Sequence, residues 1–272
     1  MSFSKKLQFL KWGYFILRFF VIVYIFIGLL CYFFLNKLMF HPPAVQNTSV
    51  FREMFFAESP IGPIALLHLK AENADKTILY SHGNAEDVSN LTWAFSYFLK
   101  EKLSVCAYDY PGYGISPGIP TEKNVYAAAE TAYKYLTEKC KIEPQNIIIY
   151  GRSIGSGASW YLAEKYPVGA LIIECGFTSI TRVVTQIKLF PFDAFPNIKR
   201  VSNVNCPVLF FHGKQDQIVP FNHGKTMYML ANEPKYKLWI PHCGHNDIIH
   251  SAEKCYIETL HSFLDTLRKK TP

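Results

Sequence analysis

Hydrophobic residues follow two patterns along this chain. Near the start they form one unbroken block: residues 19 to 35 read FFVIVYIFIGLLCYFFL, seventeen positions without a charge or a strongly polar group. After His41-Pro42-Pro43, where consecutive prolines stop a helix, the pattern breaks into short pieces. Apolar or alternating runs at 50–57, 63–69, 77–81, 104–108, 146–150, 169–174, 207–211 and 236–240 predict strands. Several are continuous, such as Ile147-Ile148-Ile149-Tyr150 and Val208-Leu209-Phe210-Phe211, as expected of strands covered on both faces. Between them, 89–101, 122–138, 155–165, 222–231 and 249–268 have helical composition. This alternation predicts an α/β fold with a mostly parallel central sheet flanked by helices. Pro60-Ile61-Gly62-Pro63 suits a hairpin at one sheet edge. Residues 177–205, with Pro191 and Pro196, break the rhythm and read as an excursion over the sheet.

The N-terminal block, extended from Phe15 to Phe40, is long enough to cross a bilayer, with Arg18 snorkelling to the interface. A cleaved signal peptide would carry a shorter apolar stretch and a small-residue cleavage site, but Asn36-Lys37-Leu38-Met39-Phe40 follows instead. A buried core helix would concentrate its apolar residues on one face. Residues 1–40 are therefore expected to form a short stub and a transmembrane anchor, and 41–272 a single catalytic-sized domain. Lys5, Lys6, Lys11 and Arg18 precede the block, whereas Lys37 alone follows it before Arg52. The positive-inside rule then puts the N-terminus in the cytoplasm and the domain outside it, in a lumenal or extracytoplasmic space. A helix lying in the membrane surface is the alternative.

Composition changes this picture little. The 22 Phe and 17 Tyr in 272 residues exclude a disordered chain. Of the formal net charge of +7, five come from residues 1–40, so no basic stripe points to nucleic acid. The seven cysteines show no paired spacing for a metal or a redox couple, and neither metal nor cofactor is expected. Cys106, Cys175 and Cys206 read as buried thiols, although an outward-facing domain permits disulfides. Asn47 and Asn90 open N-x-[ST] sequons that matter only in a glycosylating compartment.

The chemistry enters with Gly151-Arg152-Ser153-Ile154-Gly155, a G-x-S-x-G pattern placed after the strand 146–150 and before a helix. That setting predicts a strained turn presenting the Ser153 hydroxyl, with Gly151 and Gly155 letting strand and helix approach closely. The N–H of Ile154 is then aimed at a developing oxyanion. A second donor should come from His82-Gly83-Asn84-Ala85, after an earlier strand, with the Asn84 N–H favoured over that of Ala85. His82 reads as structural. Asp216 follows the strand 207–211, and His245 lies in Pro241-His242-Cys243-Gly244-His245-Asn246-Asp247, giving the order Ser…Asp…His. Gly244 favours His245 over His242 as the base, and Asp247 is expected to cap the next helix. Such a triad lets His245 take the serine proton while Asp216 holds the imidazole tautomer.

These segments together, with Tyr108-Asp109-Tyr110-Pro111-Gly112-Tyr113-Gly114, Asp193-Ala194-Phe195-Pro196-Asn197-Ile198, His212-Gly213 and Gly244-His245-Asn246-Asp247, resemble the Bem46-like α/β-hydrolases. Within them the resemblance is to the ABHD17/ABHD13 branch of membrane-associated serine hydrolases, over roughly residues 60 to 265. It implies an α/β-hydrolase fold and a Ser153–Asp216–His245 triad, with the HGN loop as oxyanion region and Asp109 and Tyr110 in a structural turn. Mammalian members of the ABHD17 group are protein depalmitoylases held at membranes by a lipidated, cysteine-rich N-terminus. The apolar helix departs from that and is more like the ABHD13 group. The expected function is hydrolysis of an acyl ester or thioester beside a lipid bilayer. A serine peptidase or amidase, and a non-catalytic scaffold, are the alternatives. Arg152 is a candidate for binding an anionic head group or for a salt bridge at the sheet edge. Phe190, Phe192 and Phe195 are candidates for a lipid-sized pocket or for packing of the excursion.

Overall fold

The computed structural model describes residues 3–44 and 49–269, so the Asn47 sequon lies outside the described residues. The apolar block is a single helix, α1 (Phe3–Met39). Within it Leu10–Met39 is long and apolar enough to cross a membrane by length and composition.

Eight strands follow: β1 (Phe55–Ala57), β2 (Ile64–Leu69), β3 (Lys76–Ser81), β4 (Leu103–Tyr108), β5 (Ile147–Arg152), β6 (Ala170–Glu174), β7 (Val208–Gly213) and β8 (Lys235–Ile240). They form one sheet in the order β1-β2-β4-β3-β5-β6-β7-β8. The β1–β2 and β2–β4 pairs are antiparallel, and every pair from β4 to β8 is parallel. The first predicted strand is shortened, because Val50–Arg52 turns as a 3-10 helix and only Phe55–Ala57 pairs.

The helices are α2 (Thr92–Lys100), α3 (Glu122–Lys134), α4 (Gly155–Lys165), α5 (Ile180–Thr185), α6 (Asn222–Leu230) and α7 (Ile248–Arg268). The run predicted as one helix over 122–138 changes character at Tyr135, where a π-helical turn carries it to Lys139. Along β5 the side chains alternate between two cores: Ile147 and Ile149 pack with α3, α4 and α6, whereas Ile148 and Tyr150 pack with α2 and α7. This two-faced burial explains why the strand reads as an unbroken apolar run. The excursion 177–205 holds α5 and two 3-10 turns, at Asn197–Lys199 and Val201–Asn203.

The aromatic residues of the excursion have different roles from those of a pocket. Phe195 is fully buried and meets Phe177, Tyr126 and Phe40 edge-on. Phe190 stacks on Tyr24 of α1 at 5.5 Å, and Phe192 meets Tyr32 at 5.4 Å. The Tyr24 hydroxyl also donates to the Leu189 carbonyl at 2.6 Å. The excursion therefore packs against the apolar helix as well as α3 and α4.

Candidate active site

The parallel strands end together at one edge of the sheet, and the loops leaving β3, β5, β7 and β8 meet there. Ser153 occupies the turn between β5 and α4 with φ of +51°, a left-handed conformation that an L-residue holds at a cost. The turn is fixed from both sides: the Ser153 N–H donates to the Glu174 carbonyl at 2.9 Å, and the Ser156 N–H donates to the Ser153 carbonyl at 3.0 Å. Close approach explains Gly155, where a Cβ would strike the Ser81 and His82 carbonyls of the neighbouring strand end. At Gly151 a Cβ would meet the Ser159 side chain and the Ser156 backbone.

His245 Nε2 lies 2.9 Å from Ser153 Oγ, and His245 Nδ1 lies 2.7 Å from Asp216 Oδ2. All three side chains are largely buried. Asp216 Oδ1 accepts the N–H groups of Ile218 at 2.9 Å and Val219 at 2.8 Å. Burial pushes the Asp216 carboxyl up, but hydrogen bonds from His212 and His245 and the field of His245 outweigh it, holding the group below its ordinary value. The carboxylate thus stays ionised facing the imidazole. His242 is exposed. Asp247 stands at the N-cap position of α7, yet its carboxylate turns back to accept the Gly244 N–H at 2.8 Å and makes no cap bond to the helix. That bond braces the turn presenting His245.

His212, one strand position from the β7 terminus, is a partner the sequence did not single out. Its Nε2 lies 3.3 Å from Asp216 Oδ2 and 2.9 Å from the Val219 carbonyl. Both neighbours are acceptors, so Nε2 carries the proton and donates it to the Val219 carbonyl, with the Asp216 carboxylate alongside. Cys175, His212 and Asp216 bring ligand-type atoms within 4.8 Å of one another, but those of Asp216 and His212 are already engaged in these hydrogen bonds.

The loop after β3 is built around His82, which is fully buried beneath Tyr110 at a ring separation of 4.0 Å. The Tyr110 hydroxyl donates to the His82 carbonyl at 2.6 Å, and burial pushes the His82 imidazole below its ordinary value. The Gly83 N–H donates to Glu86 Oε2 at 2.6 Å. Asn84 and Ala85 line the same cavity as Ser153 and His245.

Arg152 is enclosed by acceptors from three loops. Its Nη1 pairs with Glu86, its Nε donates to Glu174 Oε1 at 3.0 Å, and its Nη2 donates to Asn246 Oδ1 at 2.8 Å and the His245 carbonyl at 3.2 Å. Four of its five donors are engaged, and two carboxylates face one guanidinium. An anionic head group would meet net negative charge there, so the structure favours the salt-bridge role. The bridge lies on β5 in mid-sheet rather than at an edge. Arg152 ties the β3 loop to the His245 loop.

The cavity beside Ser153 measures about 450 Å³, within the usual range for small-molecule sites. Its apolar wall comes from Leu91, Trp93 and Ala94 beside α2 and from Ile248 and Ile249 of α7, while His41 stands at its rim. None of Phe190, Phe192 and Phe195 lines it. All seven cysteines are free.

A family model described as the alpha/beta hydrolase fold matches residues 76–180. Human alpha/beta hydrolase domain-containing protein 17B is 40% identical over 196 residues, covering 71% of this chain and 67% of that protein. The chain belongs to the α/β-hydrolase family. Alpha/beta hydrolase domain-containing protein 17C of Xenopus tropicalis is 39% identical over 191 residues, 69% of this chain and 61% of that longer relative. Among solved structures, an esterase of Pyrococcus furiosus superposes with a TM-score of 0.68 at 15% identity, covering 84% of this chain and 98% of its own. An acylaminoacyl peptidase of Pyrococcus horikoshii superposes with a TM-score of 0.60 at 14% identity, covering 80% of this chain and 41% of its own. Those two likenesses show the fold. Family and fold together make the chain an α/β-hydrolase with a hydrolase's architecture at the sheet edge, and agree with the resemblance read from its motifs.

Proposed function

We propose that this α/β-hydrolase is a membrane-anchored serine hydrolase of acyl esters or thioesters, with Ser153 as nucleophile, His245 as general base and Asp216 as its orienting acid. The observation that carries the reading is the continuous relay from Ser153 Oγ to His245 Nε2 at 2.9 Å and from His245 Nδ1 to Asp216 Oδ2 at 2.7 Å. In the proposed reaction His245 Nε2 accepts the Ser153 proton as Oγ adds to the acyl carbonyl. The N–H groups of Ile154 and Asn84 stabilise the oxyanion. The intermediate collapses as protonated His245 gives its proton to the departing alcohol or thiol. Water, deprotonated by the same imidazole, then adds to the acyl-enzyme; the bond from Ser153 Oγ to the acyl carbon breaks as His245 returns the proton to Oγ, and the carboxylic acid leaves.

The apolar wall of Leu91, Trp93, Ile248 and Ile249 favours an uncharged acyl group, and the Arg152–Glu86–Glu174 cluster beside it disfavours an anionic one. The apolar helix Leu10–Met39 supports placing the enzyme at a membrane. The excess of basic residues before it supports a cytoplasmic N-terminus and a domain on the opposite side. Cytoplasmic palmitoyl-proteins are then out of reach.

Turnover of matched butyryl ester, butyryl thioester and aminoacyl-anilide substrates by the full chain and by Ser153→Ala tests the reading. Ser153-dependent turnover fastest on the ester or thioester is expected. Faster Ser153-dependent turnover of the anilide contradicts it in favour of an amidase.

A further inference from the structure

The apolar helix does not end before the site; it ends in it. Residues along α1 are mostly exposed, but Met39 and Phe40 are 6% and 5% exposed. Phe40 meets the rings of Tyr113 at 6.4 Å and Phe195 at 6.2 Å. His41, directly after the apolar span, is at the rim of the cavity that holds Ser153.

The contact is polar as well as apolar. Asn84 Nδ2 donates to the Met39 carbonyl at 2.8 Å and lies 3.2 Å from His41 Nδ1. Asn84 Oδ1 accepts the Tyr113 hydroxyl at 2.7 Å and the His41 N–H at 3.1 Å. Both ends of the Asn84 amide are thereby engaged by segments far away in sequence. The helix gains equally, because Met39 belongs to the last turn, whose carbonyls lack partners within the helix. Asn84 supplies one, in the loop whose backbone N–H is the proposed second oxyanion donor.

We infer that Met39–His41 are part of the active site: clasped by Asn84 and Tyr113, they set the position of the oxyanion loop, and His41 forms a wall of the substrate cavity. Asn84, through its side chain, and Tyr113 are positioning residues. This rests on the proposed hydrolase reading. It also leaves no linker between the apolar helix and the site, because His41, two residues past the helix end at Met39, lines the cavity.

The experiment uses the full chain in detergent micelles with the water-soluble substrate p-nitrophenyl butyrate. Tyr113→Phe, Asn84→Ala, their double variant and the mid-helix control Tyr24→Phe are compared. Active sites are counted by exhaustive fluorophosphonate labelling, so that misfolded protein drops out. Loosening a loop that carries an oxyanion donor should cost roughly tenfold to a hundredfold in rate. Tyr113→Phe is therefore expected to lower kcat per labelled site by about tenfold with KM within about twofold, and the double variant to fall little beyond Asn84→Ala. Tyr24→Phe, which loses only the Leu189 contact, should match wild type. If Asn84→Ala fails to fold, Tyr113→Phe, lacking a single oxygen, decides. Latch variants within about twofold of a wild type whose turnover depends on Ser153 overturn the latch alone. Wild-type turnover independent of Ser153 overturns the hydrolase reading and the latch with it.

Discussion

The left-handed turn at Ser153 makes a prediction that separates strain from chemistry. Ser153→Ala and Ser153→Gly both remove the hydroxyl that faces His245 at 2.9 Å, and both should be inactive. They differ in the backbone. With φ at +51°, a Cβ costs about 1–2 kcal/mol, which alanine retains and glycine relieves. Glycine returns part of that gain, roughly 0.4–1 kcal/mol, through the greater freedom of its unfolded chain. At the middle of both ranges the net expectation is that Ser153→Gly is the more stable variant by about 0.8 kcal/mol. For a domain of this size that is a melting difference of roughly 1–4 °C. Differential scanning fluorimetry of both variants at one scan rate, in the same detergent, measures it. An alanine variant melting at or above the glycine variant would refute the claim that the nucleophile's turn is strained.

Replacing Asp216 by Asn keeps an acceptor for the Ile218 and Val219 N–H groups but turns an amide toward His245 and His212; kcat per folded molecule should fall by about three to four orders of magnitude, read by ester turnover, with a lower melting temperature because the native carboxylate's charge stabilises the fold. Gly155→Ala drives a Cβ into the Ser81 and His82 carbonyls, so a loss of at least about 2 kcal/mol in stability is expected by denaturant titration. Asp109 gives the pH dependence. Burial pushes its carboxyl from 3.8 up to about 7, against a hydrogen bond from the Val88 N–H. Because the folded value is the higher one, the folded chain holds this proton more tightly. Stability is greatest below the unfolded value and is lost as pH rises from about 4 to 7, by an amount on the order of 3–4 kcal/mol. Melting of wild type and Asp109→Asn across that window should show the variant gaining relative to wild type as pH rises; a pH-independent difference would contradict it.

Much of the fold was legible because β3 to β8 are parallel and buried on both faces, leaving apolar runs separated by helices of ordinary composition. That Ser153, Asp216 and His245 come together was legible because each stands just after a strand, with Gly151 and Gly155 around Ser153 and Gly244 before His245 as local signatures. What stayed hidden is carried by pairs far apart in the chain. Glu86 and Glu174 surround Arg152, although the register pairing Arg152 with Glu174 on adjacent strands was in principle a signal once the strand order was known. His212 read as part of a strand end, and nothing local shows that it shares Asp216 with His245. The Phe190, Phe192 and Phe195 cluster suited either an acyl pocket or packing of the excursion, because aromatic rings serve both. The same rings also suit a helix packed alongside, and Tyr24, Tyr32 and Phe40 supply that surface. The pocket wall instead comes from Trp93, which no motif flags, and from Ile248 and Ile249, apolar residues that follow the His245 segment as the start of a helix.

The central claim is that Ser153 is a nucleophile activated by His245. Its most direct test is fluorophosphonate labelling of the full chain in membranes, with the modified residue located by peptide mass spectrometry. The account predicts one adduct, on Ser153, absent in Ser153→Ala and reduced by at least about a hundredfold in rate in His245→Ala. An adduct on another serine, or labelling of Ser153 at the wild-type rate without His245, would contradict it.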